Sequence, residues 1–271
     1  MMKSLKKSLN KQRILRDIII EMSNLLYKYL DINGAKMMLQ NSNLMYANAM
    51  TFNDPFDCHP SLIDFSDVPG SVCGNWSEEL VSELSINKYE NHRNNLWICC
   101  LSKLYNSILM WSYYNKHEGV CIGLNMDNVA KCIDIRYGMM VCSSGKEVQY
   151  KDVVDKPNYY RDREDFFNYQ VYTKAKAWEH EQEVRLFIYK PSPKFMGVLP
   201  FQKEQNEFDH KEIRVFIKLG AECFESIHLG VRMSAQDREN ITKIARLLNP
   251  NIKIFQMGLD ENSFELVEKQ L

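Results

Sequence analysis

Residues 96–102 read Leu-Trp-Ile-Cys-Cys-Leu-Ser, and this almost unbroken apolar run decides the class of fold. A short run of bulky apolar residues without polar alternation predicts a strand that is buried on both faces. Residues 119–124, Gly-Val-Cys-Ile-Gly-Leu, have no polar face either, so they predict a second central strand. We therefore expect the chain to fold around a sheet with a buried centre.

Further strands and single helices are predicted on both sides of this centre. The strands lie at residues 25–30, 44–47, 146–150, 183–189, 213–219, 226–229, 252–256 and 264–267. One helix follows the cap residues Asp31 and Asn33 and ends near residue 40, and others lie at 77–92, 108–114, 162–176 and 234–248. Pro, Gly and polar residues favour loops at 62–77 and 191–211. Strands separated by single irregular helices and long loops predict an α+β fold with a mixed, mainly antiparallel sheet.

The composition is that of a globular protein, with 271 residues, 45% hydrophobic residues and a formal net charge of −1. This net charge does not predict nonspecific electrostatic binding to nucleic acid or to an anionic membrane. The 8 cysteines include no Cys-x-x-Cys pair, and several lie in apolar runs. They are therefore predicted to be buried thiols in a reducing cytosol rather than metal ligands. Because no segment has the length of a membrane span, we expect a cytoplasmic protein.

Residues 1–24 are predicted to form a basic helix or arm ahead of a single α+β domain at residues 25–271. Six Lys or Arg residues lie among the first 16. The apolar run that follows is interrupted by Arg16, Asp17 and Glu21, whereas a secretory signal needs roughly 7–15 uninterrupted apolar residues. A solvated helix is the simplest interpretation, and a contact with nucleic acid or a partner is the alternative.

The motifs that identify common enzyme classes are missing: there is no Gly-x-Gly-x-x-Gly, Walker loop, Gly-x-Ser-x-Gly or His-Glu-x-x-His.

Three other segments place polar residues among aromatic ones, a combination that a hydrophobic core does not require. The first is residues 52–57, Phe-Asn-Asp-Pro-Phe-Asp. Pro55 restricts Asp54 to an extended conformation, which favours an Asx-turn stapled by the two Phe rings. The alternative is that Asp54 or Asp57 lines a pocket.

The second polar segment is residues 110–122, in which an aromatic turn of helix meets a polar corner and then a buried strand. Trp111, Tyr113 or Tyr114 are candidates to stack on a flat ligand ring. His117 lies at the corner, where it can bind a ligand or transfer a proton. The alternative is that the polar corner caps the end of the helix.

The third polar segment is residues 174–185, Lys-Ala-Lys-Ala-Trp-Glu-His-Glu-Gln-Glu-Val-Arg, in which acidic and basic residues surround Trp178. If a strand begins near Glu183, then Glu181, Glu183 and Arg185 project to one face. They form either an exposed salt-bridge ladder or a site. In a site, a carboxylate orients or deprotonates a substrate hydroxyl while Arg185 or Lys174 holds an anion. The neighbouring tryptophan favours a pocket.

Together these segments resemble the mostly bacterial family known as domain of unknown function 2971. The matching motifs, in chain order, are Leu26-Tyr27-Lys28-Tyr29, Leu44-Met45-Tyr46-Ala47, Phe52-Asn53-Asp54-Pro55-Phe56-Asp57, Met110-Trp111-Ser112-Tyr113-Tyr114, His117-x-Gly119-Val120-Cys121-Ile122, Lys174-x-x-x-Trp178-x-x-Glu181-x-Glu183-x-Arg185 and Ile227-His228-Leu229-Gly230. They span about residues 26–268, nearly the whole chain. The family label implies no established activity, and the setting it implies is a bacterial toxin or phage-defence system.

The order of elements is also similar to the plan of ADP-ribosyltransferases, which bind nicotinamide adenine dinucleotide (NAD). The resemblance implies that Lys28 on the first strand would hold the dinucleotide. Ser102, or Tyr113 and Tyr114, would support the nicotinamide or the ribose. This chain departs from that family's pattern in having Lys28 where Arg or His is usual, and Cys-Leu-Ser at residues 100–102 in place of Ser-Thr-Ser.

The same resemblance implies roles for the two late carboxylates. Glu183 would bind a ribose hydroxyl and stabilise the developing oxocarbenium ion, and Glu181 would activate the acceptor. A carboxylate beside a cationic transition state stabilises that state electrostatically, so these roles are chemically reasonable.

The sequence therefore predicts three alternative functions. The first is an enzyme acting on a nucleotide by ADP-ribosyl transfer or NAD cleavage, with Glu183 and Glu181 catalytic and NAD as its substrate. The second is a non-catalytic sensor that binds a ligand or a partner, and the third is a metal-dependent nuclease using Asp54, Asp57 and the two glutamates. The ligand-binding candidates are Lys28, Tyr29, Asn53, Asp54, Asp57, Ser102, Trp111, Ser112, Tyr114, His117, Lys174, Trp178 and Arg185.

Overall fold

The structure is a computed structural model that describes residues 24–137, 141–162, 166–189 and 213–271. The predicted basic segment, apart from its last residue, and the predicted loop 191–211 lie outside the described residues. The fold is α+β with a mixed, mostly antiparallel sheet, as predicted. No helix in the described ranges is both long enough and apolar enough to cross a membrane.

Strands and helices are interspersed along the described chain. The strands are β1 Leu25–Leu30, β2 Asn43–Asn48, β3 Leu96–Ser102, β4 Val120–Asn125, β5 Val141–Glu147, β6 Gln149–Lys151, β7 Thr173–Ala175, β8 Glu183–Tyr189, β9 Arg214–Lys218, β10 Phe224–Leu229, β11 Lys253–Leu259 and β12 Leu266–Gln270. The α-helices are α1 Ile32–Asn41, α2 Gly70–Cys73, α3 Glu78–Arg93, α4 Ile108–Asn115, α5 Met126–Tyr137, α6 Phe166–Tyr172 and α7 Ala235–Leu248. Short 3-10 segments include Ala49–Thr51, Pro60–Leu62, Lys176–Glu181 and Ala221–Cys223.

The main sheet has the strand order β12-β11-β10-β4-β1-β3-β2-β9, and β8 and β5 branch from β3. Within this sheet β10 and β11 run parallel. β6 and β7 are also parallel, and they form a separate two-stranded sheet. The predicted central strands are confirmed, since β4 lies between β1 and β10 and β3 has neighbours on both edges. The two runs are apolar throughout because both faces of these strands are covered.

The branching of strands at β3 opens a gap in the sheet. β8 pairs with β3 along its whole length. On the opposite edge, β1 pairs only at Ser102, whereas β2 pairs at Trp97 and Ile98. β1 and β2 therefore diverge, and residues 99–101 lie between them without a strand partner on that edge among the described residues. The functional candidates gather around this gap.

The core lies on the sheet face that α1 and α7 cover. Leu39 of α1 and Ile241 of α7 are buried there with Ile122 of β4. Both helices begin at the predicted caps: Asp31 accepts a hydrogen bond from Gly34 N at 2.6 Å, and Ser234 accepts one from Asp237 N at 3.1 Å. Such caps stabilise a helix by about 1 kcal/mol each.

The predicted helices differ from the structure in three places. Of the segment predicted as a helix at 162–176, residues 163–165 lie outside the described residues, and the described part is helical over α6 and then forms β7 and the start of a 3-10 segment. The backbone of β7 pairs with β6, so tertiary pairing overrides the local preference for helix. α5 was not predicted, although Val129, Cys132 and Ile133 are buried at helical spacing. The predicted loop at 62–77 also contains the four-residue helix α2.

Candidate functional site

A cavity of about 400 Å³ lies where β1 and β2 diverge. β1 contributes Lys28 and Tyr29 to its wall, and Ser102 of β3 and Tyr114 of α4 also line it. The volume falls within the roughly 300–1,000 Å³ that is usual for small-molecule sites. Because strand divergence creates the space, the cavity is a consequence of the topology.

Aromatic side chains form much of the cavity wall. The rings come from Tyr27, Tyr29, Phe52 and Tyr114, which belong to three separate parts of the chain. Tyr29 is held in place by its hydroxyl, which donates to Leu104 O at 2.9 Å. Rings arranged in this way favour a ligand that has flat or apolar parts.

Arg185 lies beneath the cavity and is fully buried. Its Nη1 and Nη2 each lie 2.7 Å from an oxygen of Asp57, in a bidentate pair. Nε and Nη2 also donate to Glu183, at 2.8 and 3.0 Å, and Nη1 donates to Val171 O at 2.6 Å. These bonds use all five N–H donors of a guanidinium group, so Arg185 has none left for a ligand anion. The anion-holding role predicted for Arg185 is therefore corrected to a role in holding the two carboxylates.

Lys174 joins the second carboxylate to the same network. Its Nζ lies 2.5 Å from Glu181 Oε2, 3.3 Å from Glu183 Oε2 and 3.8 Å from Asp57 Oδ2. Tyr114 donates its hydroxyl to the other oxygen, Glu181 Oε1, at 2.8 Å. Asp57, Glu181 and Glu183 line the cavity, and they are 4%, 3% and 4% exposed. Of the two alternatives, the exposed salt-bridge ladder is therefore wrong, because these charged groups form a buried network.

Local backbone geometry brings the two glutamates together. Glu181 ends a 3-10 segment and Glu183 begins β8, as predicted. Between them, Gln182 is in the left-handed region at φ 43°, and its N–H donates to Glu179 O at 3.1 Å. Ser102 donates its hydroxyl to Glu181 O at 2.7 Å and accepts from Leu104 N at 3.0 Å. Ser102 therefore positions the backbone that carries Glu181.

The buried charges shift one another's pKa values. Burial raises the pKa of Glu183, but Arg185 and Lys174 outweigh this effect and lower that pKa to about 2. Burial lowers the pKa of Lys174, whereas Glu183, Glu181 and Asp57 raise it above the usual value. Burial and the Glu181 charge raise the pKa of Tyr114. At neutral pH the network therefore holds an ionised Glu183, an ammonium group and a phenol that donates a hydrogen bond.

Several predicted residues lie away from the cavity. Trp111 is fully buried, meets the Tyr29 ring edge-on at 5.4 Å and donates to Tyr105 O at 2.8 Å. Its ring is therefore a support for Tyr29, which corrects its predicted role as a stacking surface for the ligand. Ser112 and His117 contact each other at 3.0 Å, and His117 lines a different surface cavity.

Two other predicted residues lie beside the site. Lys174 Nζ lies 4.8 Å from the centre of the Trp178 ring, but Trp178 is not among the residues that line the cavity. Asp54 forms the predicted Asx-turn, since its Oδ1 accepts from Phe56 N at 2.9 Å, and it lines a neighbouring crevice. Asn53 is exposed and lines the main cavity.

Sequence reasoning missed Arg214, which lines the cavity from β9. Nothing around it marks a site, and only the pairing of Ala47 with Arg214 brings it to the gap. Lys28, which was predicted, donates to Cys100 O at 2.8 Å, the carbonyl that the strand divergence leaves open. Neither cation has a carboxylate contact within the described ranges.

A second polar cluster lies on β10 and β12. Ser226 Oγ is 3.2 Å from His228 Nε2, and His228 Nδ1 is 3.1 Å from Glu268 Oε2. The rings of Tyr105 and Phe255 stack on the imidazole at 4.7 and 4.9 Å. Ser226 and His228 are 3% and 2% exposed, and unlike the two glutamates they line neither the main cavity nor the one that His117 lines. Burial lowers the pKa of His228 to about 4, which keeps it neutral at physiological pH.

Among the described residues, no three His, Cys, Asp or Glu side chains are grouped so as to hold a metal ion. Asp57, Glu181 and Glu183 instead face the cations of Lys174 and Arg185. Comparisons of the chain with known protein families, with curated proteins and with solved structures gave no match. The resemblances to the family known as domain of unknown function 2971 and to ADP-ribosyltransferases therefore stay predictions.

Proposed function

We propose that the cavity binds a nucleotide, with NAD as the favoured substrate, and that the protein transfers or releases its ADP-ribosyl group. The observation that carries this proposal is a pair of buried carboxylates, Glu181 and Glu183, fixed by cations at a cavity that has aromatic walls. Preorganised charge that faces the place where opposite charge develops is the largest single contribution in many enzymes.

The two carboxylates differ in the acceptor capacity that they keep for a ligand. A carboxylate has about four lone-pair sites. Glu181 uses two of them, for Tyr114 and Lys174. Glu183 uses three for two Arg185 nitrogens and Lys174, and the Cys100 thiol bonds to it as well. Glu181 therefore has room to accept a hydrogen bond from a ribose hydroxyl or from an attacking group, whereas Glu183 acts through its charge.

The proposed reaction follows from this arrangement. The bond between the ribose carbon and the nicotinamide nitrogen breaks, and its electron pair leaves with neutral nicotinamide. The ionised Glu183 stabilises the cationic ribosyl group that develops. An oxygen of water or of another acceptor forms the new bond to this carbon. Its proton passes to Glu181, whose acceptor sites are less occupied.

The rest of the cavity supports a dinucleotide. Lys28 and Arg214 line it without a carboxylate contact in the described part of the chain, so they are available for phosphate oxygens. Lys is a common phosphate ligand and Arg a bidentate one. The rings of Tyr27 and Phe52 offer surfaces for a base. The ligand then has its phosphates at Lys28 and Arg214 and a ribose at the glutamates.

The test is to incubate the protein with NAD and to follow loss of NAD and release of nicotinamide by chromatography. Glu181→Gln keeps an acceptor for Tyr114 but removes the charge, and we expect it to lower the rate by about 10²–10³-fold. Glu179→Gln is the matched control, because Glu179 is exposed on the same 3-10 segment. Equal rates for these two variants would contradict the proposed role of Glu181.

The second candidate is a non-catalytic binding module. It is favoured by the ion pairs that join Arg185 and Lys174 to carboxylates of the protein, because such pairs form a rigid scaffold around the cavity. In that case NAD or a related nucleotide binds the cavity and is recovered intact by chromatography. Lys28→Ala would then weaken binding measured by calorimetry.

The bacterial cytoplasm and a toxin or phage-defence setting are proposed on the motif resemblance alone. The metal-dependent nuclease stays a third alternative.

A further inference from the structure

A second crevice of about 200 Å³ lies next to the ion-pair network. Asp57 and Lys174 line both this crevice and the main cavity, so the two spaces share a wall. The crevice is smaller than the roughly 300–1,000 Å³ typical of small-molecule sites, and its volume suits a single side chain or a small ion.

Asp54 lines this crevice, and one of its carboxylate oxygens is unsatisfied. The residue is 5% exposed, and its Oδ1 accepts from Phe56 N. Its Oδ2 is buried and has no hydrogen-bond partner among the described residues. A buried acceptor that lacks a donor is costly, and a charged one more so. The missing partner must therefore be a donor, and a cation matches it best.

The other charges of the crevice already have partners. Lys151 Nζ lies 4.7 Å from the centre of the Tyr169 ring, and Asp152 pairs with Lys176 at 3.3 Å. Lys174 faces the three carboxylates of the network. Asp54 is thus the carboxylate of this crevice that has no cation within the described ranges.

Part of the crevice wall is apolar. Phe56, Val153 and Val154 line it and are 57%, 74% and 44% exposed, while Leu62 is buried and Tyr169 half-buried. Apolar walls that lead to an anion match a group with an aliphatic stem and a cationic head, such as the side chains of Lys and Arg.

We propose that this crevice is a second binding site, which takes an alkylammonium or alkylguanidinium group through a charged hydrogen bond to Asp54. The stem packs on Phe56 and the two valines, and the cationic head lies next to the wall that the crevice shares with the main cavity. A lysine or arginine side chain of a polypeptide and a free small amine have this same chemistry. The proposal does not depend on turnover of NAD.

The test is calorimetric titration of the full chain with butylammonium and butylguanidinium chloride, with 1-butanol as the uncharged analogue. We expect the cations to bind and 1-butanol not to bind. Asp54→Asn keeps the Oδ1 acceptor for Phe56 N and should weaken cation binding roughly tenfold or more, because a hydrogen bond to a charged group is lost. Asp152→Asn removes the same charge from the same crevice and should change the affinity by less than about twofold, as an exposed pair does.

A second measurement needs no variant. The methyl resonances of Val153 and Val154 should shift on addition of butylammonium and not on addition of sodium chloride. A peptide with one internal lysine distinguishes the sources: tighter binding than butylammonium assigns the site to a polypeptide, and weaker binding assigns it to a free amine. Absence of cation binding with unshifted methyl resonances, or equal affinity in Asp54→Asn and the parent protein, would overturn the proposal.

Discussion

At the scale of single residues, Arg185 has the most demanding position in the molecule. It is fully buried and donates to Asp57, to Glu183 and to a backbone carbonyl. The planar guanidinium matches two carboxylates at fixed angles, which an ammonium group cannot do. Arg185 therefore determines the positions of both carboxylates, although it is not among the residues that line the cavity.

We expect Arg185→Lys to lower the free energy of unfolding by about 3–5 kcal/mol, since it leaves buried carboxylate oxygens without partners. Chemical denaturation of the variant and the parent protein measures the difference. The matched control is Arg161→Lys, because Arg161 forms an exposed pair with Asp67 at 3.3 Å and should change stability by less than about 1 kcal/mol. Similar losses in the two variants would show that the buried network contributes little.

At the scale of elements, the junction of α4, β4 and β1 depends on a close backbone approach at Gly119. A Cβ atom there would lie 2.2 Å from Leu30 O and 2.6 Å from Asn115 Cβ. Leu30 pairs with Val120 at the end of the β1–β4 ladder. The glycine therefore lets the corner after α4 close onto β1, the strand that forms one side of the cavity.

We expect Gly119→Ala to destabilise the fold by about 1–3 kcal/mol, because backbone atoms rather than a flexible side chain must move. Gly70→Ala is the control, since a Cβ at Gly70 meets no atom within 4 Å and alanine favours its short helix. Thermal unfolding of both variants tests this difference. A Gly119→Ala melting temperature equal to that of the parent protein would contradict the close approach.

At the scale of the whole molecule, two buried groups make stability depend on pH. His228 has a pKa of about 4 in the fold against 6.5 in the unfolded chain. The unfolded chain thus binds more protons between these values, so stability falls as pH falls from 6.5 to 4. Glu183 has a pKa of about 2 against 4.5, so its contribution is present above pH 4.5 and is lost between 4.5 and 2. Both effects favour unfolding in acid.

We expect the free energy of unfolding to decrease between pH 7 and pH 5, above the range in which exposed carboxylates titrate. The His228 shift corresponds to about 3 kcal/mol over its full range. His228→Gln should flatten the curve between pH 6.5 and 4, because the buried imidazole no longer has to become charged. Denaturation at several pH values measures both curves. Parallel curves for the variant and the parent protein would show that His228 does not titrate in this way.

Local sequence signals determined much of this fold. The bounds predicted for β3 are confirmed because an almost continuous apolar run specifies a buried strand wherever its partners come from. The bounds predicted for β8 are confirmed too, although Glu183 and Arg185 lie among its apolar residues. The caps at Asp31 and Ser234 act within four residues of the chain. The proximity of Glu183 and Arg185 followed from side-chain alternation along β8, which is also a local property. Glu181 comes close to them through the left-handed turn at Gln182 instead.

Only the tertiary structure decided what these side chains do. Asp57 and Arg185 are 128 positions apart in the sequence, and their contact is part of a buried ion-pair network. The local sequence around Arg185 was equally compatible with an exposed network. The cavity exists because β1 and β2 leave the same edge of β3 at different residues, and the fully buried Trp111 lies in the core rather than in that cavity. Strand pairing between distant segments depends on the packing of the whole chain, so no local pattern encodes it.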